Sequence, residues 1–183
     1  MEEFRSGNGA PWLDFLATLI GRYRETQTDQ LSDARALREW LVQHGLPPVE
    51  APEGGDLERA RALREALHVA AVATMHGVAP AMTALKTLES ALKHDRPLAL
   101  RRTAEGLKAV RPANTSEALA RLARDAVQTM IGPDKDALHA CGDGTCSGIF
   151  IDKVGKRRWC TDERCGNRAR VRAHRARARE GGA

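Results

Sequence analysis

Aromatic residues are scarce in this 183-residue chain, with three Trp, three Phe and one Tyr, so any core must be largely aliphatic. No stretch approaches the roughly eighteen consecutive apolar residues of a membrane-spanning helix. The segment Met1-Glu2-Glu3-Phe4-Arg5 has no apolar centre and does not read as a secretory signal. The expectation is a cytoplasmic chain with no membrane partner. There thiols stay reduced, and paired cysteines favour a metal over a disulfide. A nucleotide-binding glycine loop, a nucleophile elbow and an HExxH pair are all missing, which disfavours an enzyme. Internal repeats and heptad runs are missing too. Cysteine is absent from the first 140 residues, so all four thiols fall near one end.

Those thiols form two equal pairs, Cys141-x4-Cys146 and Cys160-x4-Cys165. Two sulfurs from one tight turn reach a metal ion with little loss of chain entropy, and two such turns complete a tetrahedral site. The reading is one structural Zn2+ held by Cys141, Cys146, Cys160 and Cys165. Two disulfides, or four unrelated buried thiols, are the competing interpretations. Four thiolates would close the coordination shell and leave no open position for metal catalysis. His139 and His174 are near enough in sequence to serve as reserve ligands, but surface roles suit them better.

Charge is distributed as unevenly as cysteine. Residues 153–183 hold 11 Lys/Arg against 3 Asp/Glu, whereas residues 1–152 hold 18 against 21. A net charge of +8 in a short tail points to a polyanionic partner. A helix from about Asp162 to Arg179 would carry seven arginines, with too few acids nearby to pair them. This pattern predicts contacts from Arg168, Arg170, Arg172 and Arg175 to phosphates, with Asn167 or Arg168 near base edges, and Lys153, Lys156, Arg157 and Arg158 extending the footprint. Alternatively the tail is a solvated helix, with Arg168 paired to Asp162 or Glu163 and Asn167 serving the metal loop. Few aromatics are available for a single-strand stacking platform, which favours duplex DNA over RNA.

The fold class expected is mainly α: a helical N-terminal unit (1–136) with a small β-hairpin, followed by a zinc module (137–183) of cysteine knuckle, β-hairpin and Arg-rich helix. Trp12, Phe15, Leu16, Leu19, Ile20 and Tyr23 follow a helical period. Ser32 or Asp33 caps a second helix that stops at Gly45. A third runs from about Asp56 to His76, and a fourth uses Met82, Leu85, Leu88 and Leu92 as its inner face. Residues 97–102 and 107–110 read as a hairpin. Asn114 to Ser116 cap another helix, and Lys135–His139 form a last helical turn. In the module, residues 149–152 and 157–159 are expected to pair, with Cys160 ending the second strand. Asp14, Arg22, Arg24, Arg101 and Arg102 are candidates for a polar effector pocket, although ordinary surface charge explains each. His68 and His76 lie about two helical turns apart, too far to share a metal.

The two Cys-x4-Cys pairs, Arg158-Trp159-Cys160, and Cys165-Gly166-Asn167-Arg168 with Arg170, Val171, His174 and Arg175 resemble the CGNR zinc finger over residues 141 to about 179. That family places the finger after a helical ABATE domain, described as a stress-induced transcription regulator. Trp12-Leu13-Asp14-Phe15-Leu16-Ala17-Thr18-Leu19 is similar to the start of that domain, with Ala17 where many relatives carry Asn. The resemblance implies a zinc-dependent nucleic-acid-binding regulator whose helical domain senses a small effector or forms a homodimer. The alternatives are an adaptor whose finger binds an acidic protein, and an RNA-binding protein.

Overall fold

The computed structural model describes residues 4–180. Met1-Glu2-Glu3, part of the N-terminal reading above, and residues 181–183 lie outside the described residues. The chain is mainly helical. Three helices form its centre: α3 (Asp56–Met75), α4 (Met82–Leu92) and α5 (Thr115–Ile131), with α2 (Ala34–Gln43) and a short α1 (Pro11–Leu16) packed on them. Three separate two-stranded antiparallel ribbons complete the fold.

Local chemistry sets the helix ends. Asp33 accepts a hydrogen bond from the Ala36 amide at the start of α2, and Asn114 accepts one from the Glu117 amide at the start of α5. Each satisfies a backbone donor that a helix N-terminus leaves unpaired. On α3, Ala60, Leu63, Leu67 and Ala70 are buried as expected, against Trp12, Phe15, Trp40 and Leu41. Phe15 and Trp40 have ring centroids 5.0 Å apart.

The first helix departs from its expected length. It stops at Leu16; Thr18 donates its hydroxyl to the Phe15 carbonyl, and β1 (Leu19–Ile20) pairs with β2 (Thr28–Asp29). Gly21, at φ +72°, makes the turn that a continuous helix cannot contain. Arg64, buried on α3, bonds both Thr18 and the Asp29 carboxylate, which fixes the turned chain. The apolar period to Tyr23 is therefore coincidental, and Tyr23 is exposed.

Helix α4 is rotated from its expected face. Ala84 and Leu88 are buried, while Met82 and Leu85 point outward. The expected hairpin is present as β3 (Leu100–Thr103) and β4 (Gly106–Ala109). The last helical turn expected at Lys135–His139 begins earlier, as a tight 3-10 turn at Pro133–Ala137. His139 instead sits in β5 (Leu138–Ala140), which pairs with β6 (Ile149–Ile151).

This ribbon corrects the expected module hairpin, in which residues 157–159 were to be the partner strand. Asp152 accepts hydrogen bonds from the Val154 and Arg157 amides, so it folds the next residues into a capped loop. β6 therefore takes its partner from the residues before Cys141. Leu138 and Ile149 also belong to the main core cluster, and the Asn8 carbonyl accepts from the Ile151 amide. The helical unit and the cysteine-bearing segment thus share a hydrophobic core.

Candidate zinc centre and basic helix

Two turns deliver the thiols. The Cys141 amide bonds the Gly148 carbonyl, and the Cys146 amide bonds the Asp143 carbonyl, which curls the first knuckle. Gly148 is needed there, because a Cβ would come within 2.9 Å of the Cys160 sulfur. Thr161 opens a wide helical turn, Asp162–Gly166, which places Cys165 and runs into α6 (Asn167–Glu180). The four Sγ atoms lie within 4.8 Å of one another. The Cys146–Cys160 and Cys160–Cys165 sulfur separations are 3.8 and 3.5 Å. A zinc ion bonded at about 2.3 Å to four tetrahedral sulfurs requires edges of about 3.8 Å.

All four thiols are free of disulfides. Their electrostatics favour a dication. Hydrogen bonds from Cys146 and Cys160 hold the Cys141 thiol well below its ordinary range. Bonds to Cys141 and Cys146, together with burial, push Cys160 far above that range. Thiols this close cannot all ionise unaided, and a metal removes the conflict. Three donors already point at sulfur: Gly148 N to Cys146, Cys160 N to Cys141, and Arg168 Nη2 to Cys165 at 3.0 Å. The donor set, spacing and N–H···S bonds fit one structural zinc ion on Cys141, Cys146, Cys160 and Cys165. Around it, Phe150 is buried and Trp159 half-buried, and these aromatics form the small apolar cluster with the thiols.

Asp143, whose side chain is fully buried, joins the knuckle to α6. Its carboxylate accepts from Arg168 at 2.9 Å and Arg172 at 2.8 Å. Burial raises its pKa, but bonds from Arg172 and Thr145 and the charge of Arg168 outweigh burial and hold it at about 2. Arg170 pairs with Asp162, and also donates to the Asn167 side-chain oxygen. Asn167 donates in turn to the Glu163 carbonyl. Two acids thus hold three of the arginines for which sequence reasoning found too few partners. Asp143 was missed because it lies 25 residues before Arg168. Its position inside the first knuckle, turned towards the second, was the available signal.

The other candidates divide clearly. Arg157 folds back onto the Phe150 ring and the Gly7 and Cys160 carbonyls. Arg158 lies over Trp159. Lys156, Arg164, Arg175, Arg177 and Arg179 are exposed and, among the described residues, have no side-chain hydrogen bond or ion pair. His139 packs beside Phe150 and His174 is exposed on α6, so neither joins the thiol cluster.

The candidates in the helical unit make separate contacts. Asp14 is buried and accepts from the Asn8 amide and side chain, with His44 at 3.7 Å. Through Asn8 it ties α1 to β6. Arg22 sits beyond the end of α1 and pairs with Glu65, leaving two buried guanidinium nitrogens unpartnered. Arg24 donates to the knuckle residue Thr145. Arg101 and Arg102 lie on the exposed β3–β4 ribbon.

Among the described residues no helix is long and apolar enough to cross a membrane. No curated protein matches the chain. Two family models do: the ABATE domain, described as "Putative stress-induced transcription regulator", over residues 9–133, and the CGNR zinc finger over residues 138–178. Neither family is a class of enzyme. With the first match spanning more than half of its length, and all four thiols inside the second, the chain belongs to the ABATE family and carries a CGNR zinc finger.

Proposed function

We propose that the protein is a zinc-dependent transcription regulator that binds duplex DNA through the zinc module and α6. The division into a sensing unit (1–136) and a DNA-binding module (137–183) is part of this proposal. The observation that carries it is the split among the arginines. Arg168 and Arg172 are clamped to the buried Asp143, and Arg170 to Asp162, so they orient α6 on the metal site. Lys156, Arg175, Arg177 and Arg179 stay exposed with no anion partner among the described residues, and they are assigned to the DNA phosphates. Arg157 and Arg158, turned onto Phe150 and Trp159, and Asn167, engaged with Glu163 and Arg170, shape that surface. Duplex is favoured over single-stranded RNA because Phe150 is buried and Trp159 is covered by Arg158, which leaves no stacking platform.

The test is duplex binding by zinc-loaded protein over a salt series, with random DNA and RNA pools in competition. Each lost phosphate contact should reduce the slope of log affinity against log salt by about 0.9. Arg175→Ala with Arg177→Ala is expected to flatten the slope and weaken all sequences alike. An unchanged slope would remove α6 from the interface. Preferential RNA enrichment, or a stoichiometric protein partner that survives nuclease, would replace the DNA reading.

A further inference from the structure

A cleft of about 280 Å³ opens between α3, α4 and α5, and none of its lining residues belongs to the zinc module. Its floor is apolar: Leu63 and Leu119 are 2% and 3% exposed, and Ala91 is partly buried beside them. Small residues along the facing helices, such as Ala91 and Ser116, leave space that longer side chains would fill. The rim is basic, with Arg59 from α3, Lys86 from α4 and His94 just beyond α4. Lys86 and His94 have no side-chain hydrogen bond or ion pair among the described residues.

No carboxylate lines the cleft. Of the two acids on neighbouring turns, Asp56 pairs with the rim residue Arg59 and Glu117 is engaged away from the cleft. Asp56 accepts from the Glu53 amide and from Arg59, and Glu117 accepts from the Ala113 amide and Arg96. An apolar floor beneath a basic rim, in which Arg59 is shared with Asp56 while Lys86 and His94 have no anion partner among the described residues, calls for a ligand with an apolar body and an anionic head. The apolar part fills the cleft beside Ala62 and Ala91, above the buried Leu63 and Leu119, and the head takes charge-assisted hydrogen bonds at the rim. The volume lies at the small end of ligand sites, about right for one ring or a short chain.

We propose that this cleft is a binding site for a small organic carboxylate with an apolar body. The inference is independent of the DNA-binding reading, because it is tested without nucleic acid. The experiment is calorimetric titration of the zinc-loaded full chain with benzoate, with benzamide as the uncharged isostere and sulfate as an anion without an apolar body. Saturable benzoate binding is expected, with an affinity on the order of millimolar or tighter. Benzamide and sulfate should each bind about tenfold more weakly or worse. Arg59→Ala with Lys86→Ala, both on exposed side chains, should weaken benzoate by about tenfold or more. Ala91→Leu, which fills the floor, should abolish binding while the melting temperature holds. Absence of saturable benzoate heat, or an unchanged affinity in either variant, would overturn the site. So would an equal loss in Arg175→Ala with Arg177→Ala, which would place the anion on α6.

Discussion

The helical unit and the zinc module solve the same problem by different means. The first buries Trp12, Phe15, Leu37, Trp40, Leu63 and Leu67 almost completely, so apolar surface removed from water supplies its stability. The second has one fully buried large side chain, Phe150, and depends on four thiols, a buried carboxylate and arginines. A segment that small cannot bury enough apolar area to offset its conformational entropy, so a metal takes that role. Yet the two are welded: Leu138 and Ile149 leave the ribbon for the helical core, and Asn8 bonds Ile151. Chemical independence does not imply structural independence here.

The largest test of this contrast is loss of the metal. Cys160→Ser or chelation is expected to disorder residues 141–179, with the zinc-binding free energy of about 10–16 kcal/mol lost along with that order. The helical unit should still unfold cooperatively, but melt about 5–10 °C lower, since it loses the cover given by Leu138 and Ile149. Metal content together with circular dichroism during heating measures both. A helical unit that melts unchanged would show that the shared core contributes nothing.

Next in size is the weld itself. Ile149→Ala removes a buried side chain at the seam while leaving every thiol in place, and should cost about 2–4 kcal/mol in denaturant unfolding with zinc retained. An effect under about 0.5 kcal/mol would sink the single-core description. A smaller change is expected for Asp143→Asn. Its carboxylate is fully buried, but Arg168 and Arg172 are partly solvated and can rehydrate, so the cost should be about 1–3 kcal/mol. Hydrogen exchange should show α6 losing protection while zinc stays bound. Full protection of residues 167–179 would mean that α6 does not rely on the clamp.

Much of this contrast was legible from residue order. The two Cys-x4-Cys pairs, the caps at Asp33 and Asn114, and the β3–β4 turn are local signals, and each appears where spacing placed it. What failed was non-local. The helical period running to Tyr23 is broken by Arg64, which reaches back from α3 to Thr18 and Asp29. The partner of β6 lies before the first cysteine because Asp152 captures the amides that would have formed the other strand. The arginines looked unpaired because Asp143 is far away in sequence. Periodicity and spacing report neighbours along the chain; ion pairs and strand partners depend on which distant segment arrives.

The smallest expected effect lies in the helical unit and concerns pH. His68 on α3 is 7% exposed and shares a 3.3 Å hydrogen bond with Tyr23. Burial and the charge of Arg22 lower its pKa from 6.5 to about 4, against an opposing pull from Glu65. The folded state therefore holds His68 neutral where the unfolded chain would protonate it. Its stabilising contribution is complete above pH 6.5, falls as pH drops below that value, and levels off near pH 4, where the folded protein also takes the proton. At about 1.4 kcal/mol per pKa unit, wild type should lose about 1–2 kcal/mol between pH 7 and pH 5 from this group. The thiolate site weakens in the same direction on acidification, so the comparison is with His68→Gln at both pH values. The variant should keep the zinc-linked part and lose the histidine part. If both proteins lose equal stability, the acid sensitivity belongs to the metal module alone, and the helical core, held by apolar burial, is indifferent to pH in this range.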